Sequence, residues 1–469
     1  MHTFEITVLG SSGGPLEGST CSILVKPSNI TYEEIIHNKV KDCLAVIDAG
    51  SFMGKLCDIL NDEIYQNPVS LTQRLLNNYT DTLTLGQFKT NENGVVVKSE
   101  LGLRSLGMSP MELTFTIQEL ANTYLITHSH LDHVLALGIN SAAYGSSYPK
   151  QVYGLPLTID GLQDHIFNDV LWPDLTSIKD PKFLQLIKLQ ESTEQYQQIN
   201  SRYRTIPFIL NHGKKTTAEP FLSTSFLIED IETNQHVLIF GDVESDQDSN
   251  ETRNLQIWKF IKPLVRTGKL NTIIIECSTP NVLPDEPLFG HLTPNSLFAE
   301  LLSLNSILLE TGEETTRDSQ SIGTGDDIES ALKGLNILIT HVKERKSPID
   351  PKKVILSELN ELNRNFGLGV NFVMLLTGQT YLVDDLIFDV QRWNKSDNVT
   401  TGSDDNQTFF NGLLSDWRWI LGKFNTQDQP FTSDIFDIFR VLFLQGVQFS
   451  LEQFGLSVDL LQETWLRNL

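Results

Sequence analysis

Three imidazoles and a carboxylate fall within six consecutive residues, His128-Ser129-His130-Leu131-Asp132-His133. Neutral imidazole and carboxylate together suit zinc or a similar borderline divalent ion, and at this spacing alternate side chains can turn towards two different ions. The cluster follows the apolar run Tyr124-Leu125-Ile126, so it starts where a buried strand should stop. A chance gathering of surface histidines explains neither the density nor the placement.

Similar donors stand at other strand ends. His212 closes the run Ile206 to Asn211, Asp242 follows Val237-Leu238-Ile239-Phe240-Gly241, and His341 closes Leu335 to Thr340. Carboxyl ends of strands in open α/β sheets line one crevice, so residues distant in the chain can meet there in a single dinuclear pocket. Alone, each of these side chains would pass for a cap or a core polar group. Their common placement is what points to metal. Two divalent ions carry four positive charges, which two carboxylates and a hydroxide offset only in part, so an anionic substrate is accepted. A water bridging ions about 3.5 to 4 Å apart is hydroxide near neutral pH and is placed for in-line attack on phosphorus. Hydrolysis of a phosphodiester is the expected reaction.

A different pair follows. Glu276 ends Thr272-Ile273-Ile274-Ile275, and His291 precedes a helix start in which Thr293 is the N-cap and Pro294 the first helical residue. Such a histidine can donate a proton to a leaving alkoxide while a carboxylate orients it. A histidine that only caps its own loop is the plainer alternative. His2, His37, His165 and His236 have no comparable context and receive no role.

The elements that must position these groups alternate. Apolar, β-branched runs (Phe4 to Leu9, Cys21 to Val25, Leu44 to Ile47, Thr272 to Ile275, Ile337 to Ile339, Phe372 to Leu376) read as buried strands. Between them, Tyr32 to Val40, Gly54 to Tyr65, Val134 to Tyr144 and Pro294 to Leu304 repeat apolar residues at helical spacing. An α/β layered sandwich is expected. One catalytic domain over 1–393 is anticipated, with a mobile acidic insertion at about 310–329, a polar linker at 394–408 and a helical C-terminal extension at 409–469. The aromatic-rich extension is the basis for expecting a homodimer.

The 469 residues, 40% hydrophobic and 20% charged, supply a core and do not resemble a disordered polymer. A formal charge of -24 repels long polyanions and anionic bilayers, which argues against nucleic-acid and membrane partners but leaves a small metal-held anion compatible. Four cysteines without paired spacing read as free thiols in a reducing compartment. With no basic-then-apolar leader and no apolar stretch of about 18 residues, a cytoplasmic location is expected.

The motifs resemble those of the class II cyclic-nucleotide phosphodiesterases, the family of the fungal low-affinity cyclic-AMP enzymes. The resemblance spans roughly residues 1–390 and rests on His128 to Val134 with Asn140-Ser141-Ala142, on Gly241-Asp242-Val243-Glu244-Ser245, on Gly290-His291-Leu292-Thr293-Pro294 and on Thr340-His341-Val342-Lys343. The family usually has glycine where Ala136 stands and an aliphatic residue where Gly138 stands. What the resemblance implies is a metallo-β-lactamase αββα four-layer sandwich that holds two Zn2+ ions, with Mn2+ or Mg2+ as alternatives. His128, His130 and His212 would take one ion, Asp132, His133 and His341 the other, and Asp242 would bridge. His291, Asp132 and Glu276 are then the residues expected to act in catalysis, on cyclic AMP or cyclic GMP, giving the 5′-monophosphate. Gly10-Ser11-Ser12-Gly13-Gly14 reads as a tight turn and Asp48 as a hydrogen-bonder behind the ligand loops. The rivals are a tRNA 3′-processing endonuclease, which needs a basic surface, and a non-catalytic scaffold of the same fold, which ordinarily lacks one or two ligands.

Overall fold

A computed structural model of the protein describes residues 2–88, 95–98, 100–145, 149–176, 183–191, 195–281, 288–310 and 330–384. The expected insertion at about 310–329 (beyond Glu310), the linker at 394–408 and the extension at 409–469 lie outside the described residues.

Among the described residues, fifteen strands form two sheets. In chain order they are β1 (His2–Gly10), β2 (Ser22–Pro27), β3 (Ala45–Ile47), β4 (Val95–Lys98), β5 (Thr123–Leu125), β6 (Lys150–Gly154), β7 (Leu184–Lys188), β8 (Gln197–Gln198), β9 (Tyr203–Lys214), β10 (Pro220–Asp230), β11 (Gln235–Phe240), β12 (Leu270–Glu276), β13 (Asn336–Thr340), β14 (Asn371–Met374) and β15 (Thr380–Asp384). The first sheet runs β4-β15-β1-β2-β3-β5-β6-β7 and the second β14-β13-β12-β11-β10-β9-β8.

Three apolar layers follow from strand alternation. Side chains of successive residues point to opposite faces, so Ala45 and Ile47 pack between the sheets with Ile239, Ile274 and Leu338, whereas Val46 turns outward onto helices. Ile273 and Ile275 likewise face the helices Arg253–Arg266 and Pro294–Leu309 on the far side. Two sheets face to face with helices on both outer surfaces make the four-layer αββα sandwich that the motifs implied. Strands β11 to β14 are parallel and buried on both faces, which is why they read as unbroken apolar runs.

The expected picture of one crevice at the strand ends of one sheet needs correction. The 128–133 cluster follows β5 of the first sheet, while His212, Asp242 and His341 belong to the second, so the donors come together from interior strands of both sheets. His212 is also not past a strand end: β9 pairs antiparallel with β10 and continues to Lys214.

Candidate metal centre

Local structure sets the first donors. The helix Leu131–Asn140 begins three residues earlier than its apolar pattern suggested, so His130 is its N-cap and Asp132 and His133 lie in its first turn. A carboxylate there is favoured by the positive end of the helix. The helix is locked to the strand end of β3: Ala49 donates to the His133 carbonyl (2.7 Å) and Ala136 to the Ala49 carbonyl (2.8 Å). That approach requires Gly50, since a β-carbon would sit 1.8 Å from the Asp132 carbonyl oxygen. His341, at the end of β13, holds φ 57, a strained conformation for a residue with a β-carbon.

Two donor sets result. His128 Nε2 lies 3.0 Å from His130 Nδ1 and 3.6 Å from Asp242 Oδ2, and His212 Nε2 lies 3.3 Å from His130 Nδ1 and 3.5 Å from Asp242 Oδ2. In the second set His341 Nε2 is 3.3 Å from His133 Nε2 and from Asp132 Oδ2, and Asp242 Oδ1 is 3.2 Å from both imidazoles. Donors about 2.1 Å from a tetrahedral ion stand about 3.4 Å from one another. Both sets match that edge length, with one oxygen of Asp242 turned to each. The residues therefore fit divalent metal.

Electrostatics agree. Burial, followed by the neighbouring imidazole His133, holds His128 well below the usual histidine value, and burial with His212 brings His130 down to about 4. His212 is likewise lowered, chiefly by burial. These rings are neutral and can give a lone pair. His133 moves the other way: burial disfavours its charge, but the carboxylates of Asp242 and Asp48 overcome that and raise it. A cation between them would relieve the same negative charge.

The second ring nitrogens are held. Thr127 Oγ1 lies 3.0 Å from His128 Nδ1, Asp48 Oδ2 2.7 Å from His133 Nδ1, and Ser278 Oγ 2.9 Å from His341 Nδ1, while His212 Nδ1 donates to the Gly290 carbonyl at 3.0 Å. Asp48 also accepts from the Thr127 amide and hydroxyl (2.8 and 2.9 Å), the supporting part expected of it. The 10–14 turn packs against the strand end that carries His341 through Gly13 N to the Val342 carbonyl.

His291 lies between one ring of each set, stacked on His341 with centroids 4.9 Å apart and edge-on to His212 at 4.8 Å. Its Nδ1 donates to Glu276 Oε1 at 2.8 Å. Glu276 is fully buried and accepts as well from the Val243 and Leu292 amides and from Ser278 Oγ (2.8, 3.3 and 2.6 Å), so its lone pairs are committed to positioning. Burial opposes the His291 cation, yet the Glu276 carboxylate raises its pKa above the ordinary value.

Comparison with known proteins was decisive. The family model for cAMP phosphodiesterases class-II matches residues 36–378. The chain belongs to the class-II cyclic-AMP phosphodiesterases. It is 34% identical over 442 residues to a 3′,5′-cyclic-nucleotide phosphodiesterase of Candida albicans, covering 81% of this chain and 100% of that one. A 3′,5′-cyclic-nucleotide phosphodiesterase of Schizosaccharomyces pombe is 31% identical over 381 residues, covering 81% and 93%. The crystal structure of unliganded yeast PDE1 superposes with a TM-score of 0.67 at 29% identity, covering 82% of this chain and 100% of that one. The fold of this class-II phosphodiesterase is a two-sheet αββα sandwich shared with yeast PDE1.

Every predicted site residue of this class-II phosphodiesterase converges on one place: His128, His130, Asp132, His133, His212, Asp242 and His341 in the two sets, with His291 and Glu276 beside them. Sequence reasoning missed Ser278 and Phe221. Ser278 stands two residues after Glu276, a strand spacing that puts both on one side and could have disclosed it. Phe221 stacks on His130 with centroids 4.3 Å apart and planes at 19°, and no local pattern announces it. Cys21 also comes near His133 and His341, but burial and then the Asp242 charge push its thiol well up, so it backs the ligands as a thiol. At the two departures from the family pattern, Ala136 is buried and a β-carbon at Gly138 would meet only Ile166 at 3.8 Å, so neither disturbs a donor.

Proposed function

We propose that this chain hydrolyses 3′,5′-cyclic nucleotides, cyclic AMP and also cyclic GMP, to nucleoside 5′-monophosphates at a pair of divalent ions, with zinc preferred, and so lowers cyclic-nucleotide signals in the cytoplasm. The observation that carries it is the sharing of Asp242, one oxygen to each of two donor sets, with His291 in ring contact with His212 of one and His341 of the other. When bound, the ion pair supplies an activated water and neutralises charge on the phosphate. His128, His130 and His212 would hold one ion, and Asp132, His133 and His341 the other. Asp242 would offer one carboxylate oxygen to each. The bond that breaks is P–O3′, and His291 is placed to pass a proton from Nε2 to the departing O3′, since Nδ1 is held by Glu276. Glu276 and Ser278 position that ring and His341 from one carboxylate.

A tRNA substrate is disfavoured by the net charge of -24, and a non-catalytic scaffold by the presence of all seven donors. The test is turnover of cyclic AMP and cyclic GMP, side by side, by purified protein with zinc or manganese. Both are expected to yield 5′-monophosphate, and His130→Ala is expected to abolish it. A folded, metal-loaded wild type that leaves both nucleotides intact would refute the proposal.

A further inference from the structure

Phe289 is 72% exposed and holds φ 53, a left-handed conformation that a phenylalanine adopts only when its surroundings impose it. The surroundings here are the metal centre. Its neighbour Gly290 (φ 81) passes so close to the His212 strand that a β-carbon would lie 2.1 Å from the Gly213 amide nitrogen, and the Gly290 carbonyl accepts from His212 Nδ1. On the other side, Lys343, two residues after His341, sets Nζ 5.5 Å from the Phe289 ring centroid. The Lys343 amide donates to the Ser278 carbonyl at 3.0 Å, and its positive charge is near enough to oppose protonation of His291. An exposed ring thus stands beside the site, between the strand that carries His212 and the loop that follows His341. The Lys343 ammonium lies over the ring, which is largely exposed.

We propose that Phe289 is the stacking platform for the base of the bound cyclic nucleotide and sets how tightly substrate is held. This rests on the cyclic-nucleotide function proposed above. If P–O3′ breaks and His291 protonates O3′, the ribose lies on the His291 side of the centre, and Phe289 is two residues from His291 on that side. An aromatic face accepts either purine, so Phe289 governs KM and does not separate adenine from guanine. The experiment measures kcat and KM for wild type, Phe289→Leu and Phe289→Tyr with two substrates. One is cyclic AMP, and the other is a methyl ribofuranoside 3′,5′-cyclic phosphate, which keeps the reacting ring and lacks the base. Phe289→Leu is expected to raise KM for cyclic AMP about tenfold, and much less for the base-less diester, while Phe289→Tyr stays near wild type. An unchanged KM for cyclic AMP in Phe289→Leu, or an equal rise for both substrates, overturns the proposal. A wild type that turns over neither substrate instead overturns the cyclic-nucleotide function, and that result appears before any variant is made.

Discussion

At the scale of single residues, the metal donors and their supports have separable roles. Asp48 touches no substrate position but holds His133 Nδ1 at 2.7 Å and orients Thr127, which in turn meets His128. Hydrogen-bonded partners of metal-bound histidines typically contribute about 10- to 100-fold to metal affinity. Asp48→Asn should therefore weaken zinc by about that factor, measured by competition with a chromophoric chelator, with kcat near wild type once saturating metal is supplied. His291→Gln should show the opposite pattern, with metal affinity kept and kcat lowered about 10²- to 10⁴-fold, the usual contribution of a positioned general acid. If both variants lose metal alike, His291 is a structural histidine. The 128–133 cluster was legible in the sequence because its spacing alone brings the groups together. Phe221 was not, since it gains meaning only from a ring that another segment supplies, and Ser278 only through its spacing from Glu276.

At the scale of elements, the junction between β3 and the helix Leu131–Asn140 decides whether Asp132 and His133 reach the centre. Gly50→Ala would place a methyl group 1.8 Å from the Asp132 carbonyl oxygen, so the helix start must retreat. The expected outcome is a soluble protein with less bound metal per chain and activity reduced at least tenfold, read from metal content and turnover on the same preparation. Full metal occupancy would show that the junction tolerates the shift. Here the sequence was partly misleading. Val134 looked like the start of the apolar periodicity, but the cap and first turn are the ligands themselves, and their polar side chains hide the true helix start. Strand β10 went unread because Ser223, Thr224 and Ser225 interrupt its apolar run, and the helix Arg253–Arg266 because Pro263 lies inside it.

At the scale of the whole molecule, the centre joins the two halves of the sandwich, so metal should stabilise the fold as well as the reaction. Removing metal with a chelator is expected to abolish turnover and lower the melting temperature, and added zinc should restore both, because a ligand bound only by the folded state shifts unfolding. The effect should weaken as pH falls, first as His133, whose protonation Asp242 and Asp48 favour, competes with metal, and then near about 4 as His130 does. A melting temperature unchanged by chelation would mean that the sheets hold the donors in place without the ion. No helix among the described residues is long and apolar enough to cross a membrane. The sequence by itself determined the layered α/β class and offered the candidate donors that the fold brings together, because alternation, helical spacing and a six-residue cluster are short-range patterns. Only the tertiary structure decided which donors share a set, how Asp242 divides its oxygens, and which exposed ring lies beside them. Those relations depend on two sheets packed face to face, and that contact joins segments far apart in the chain.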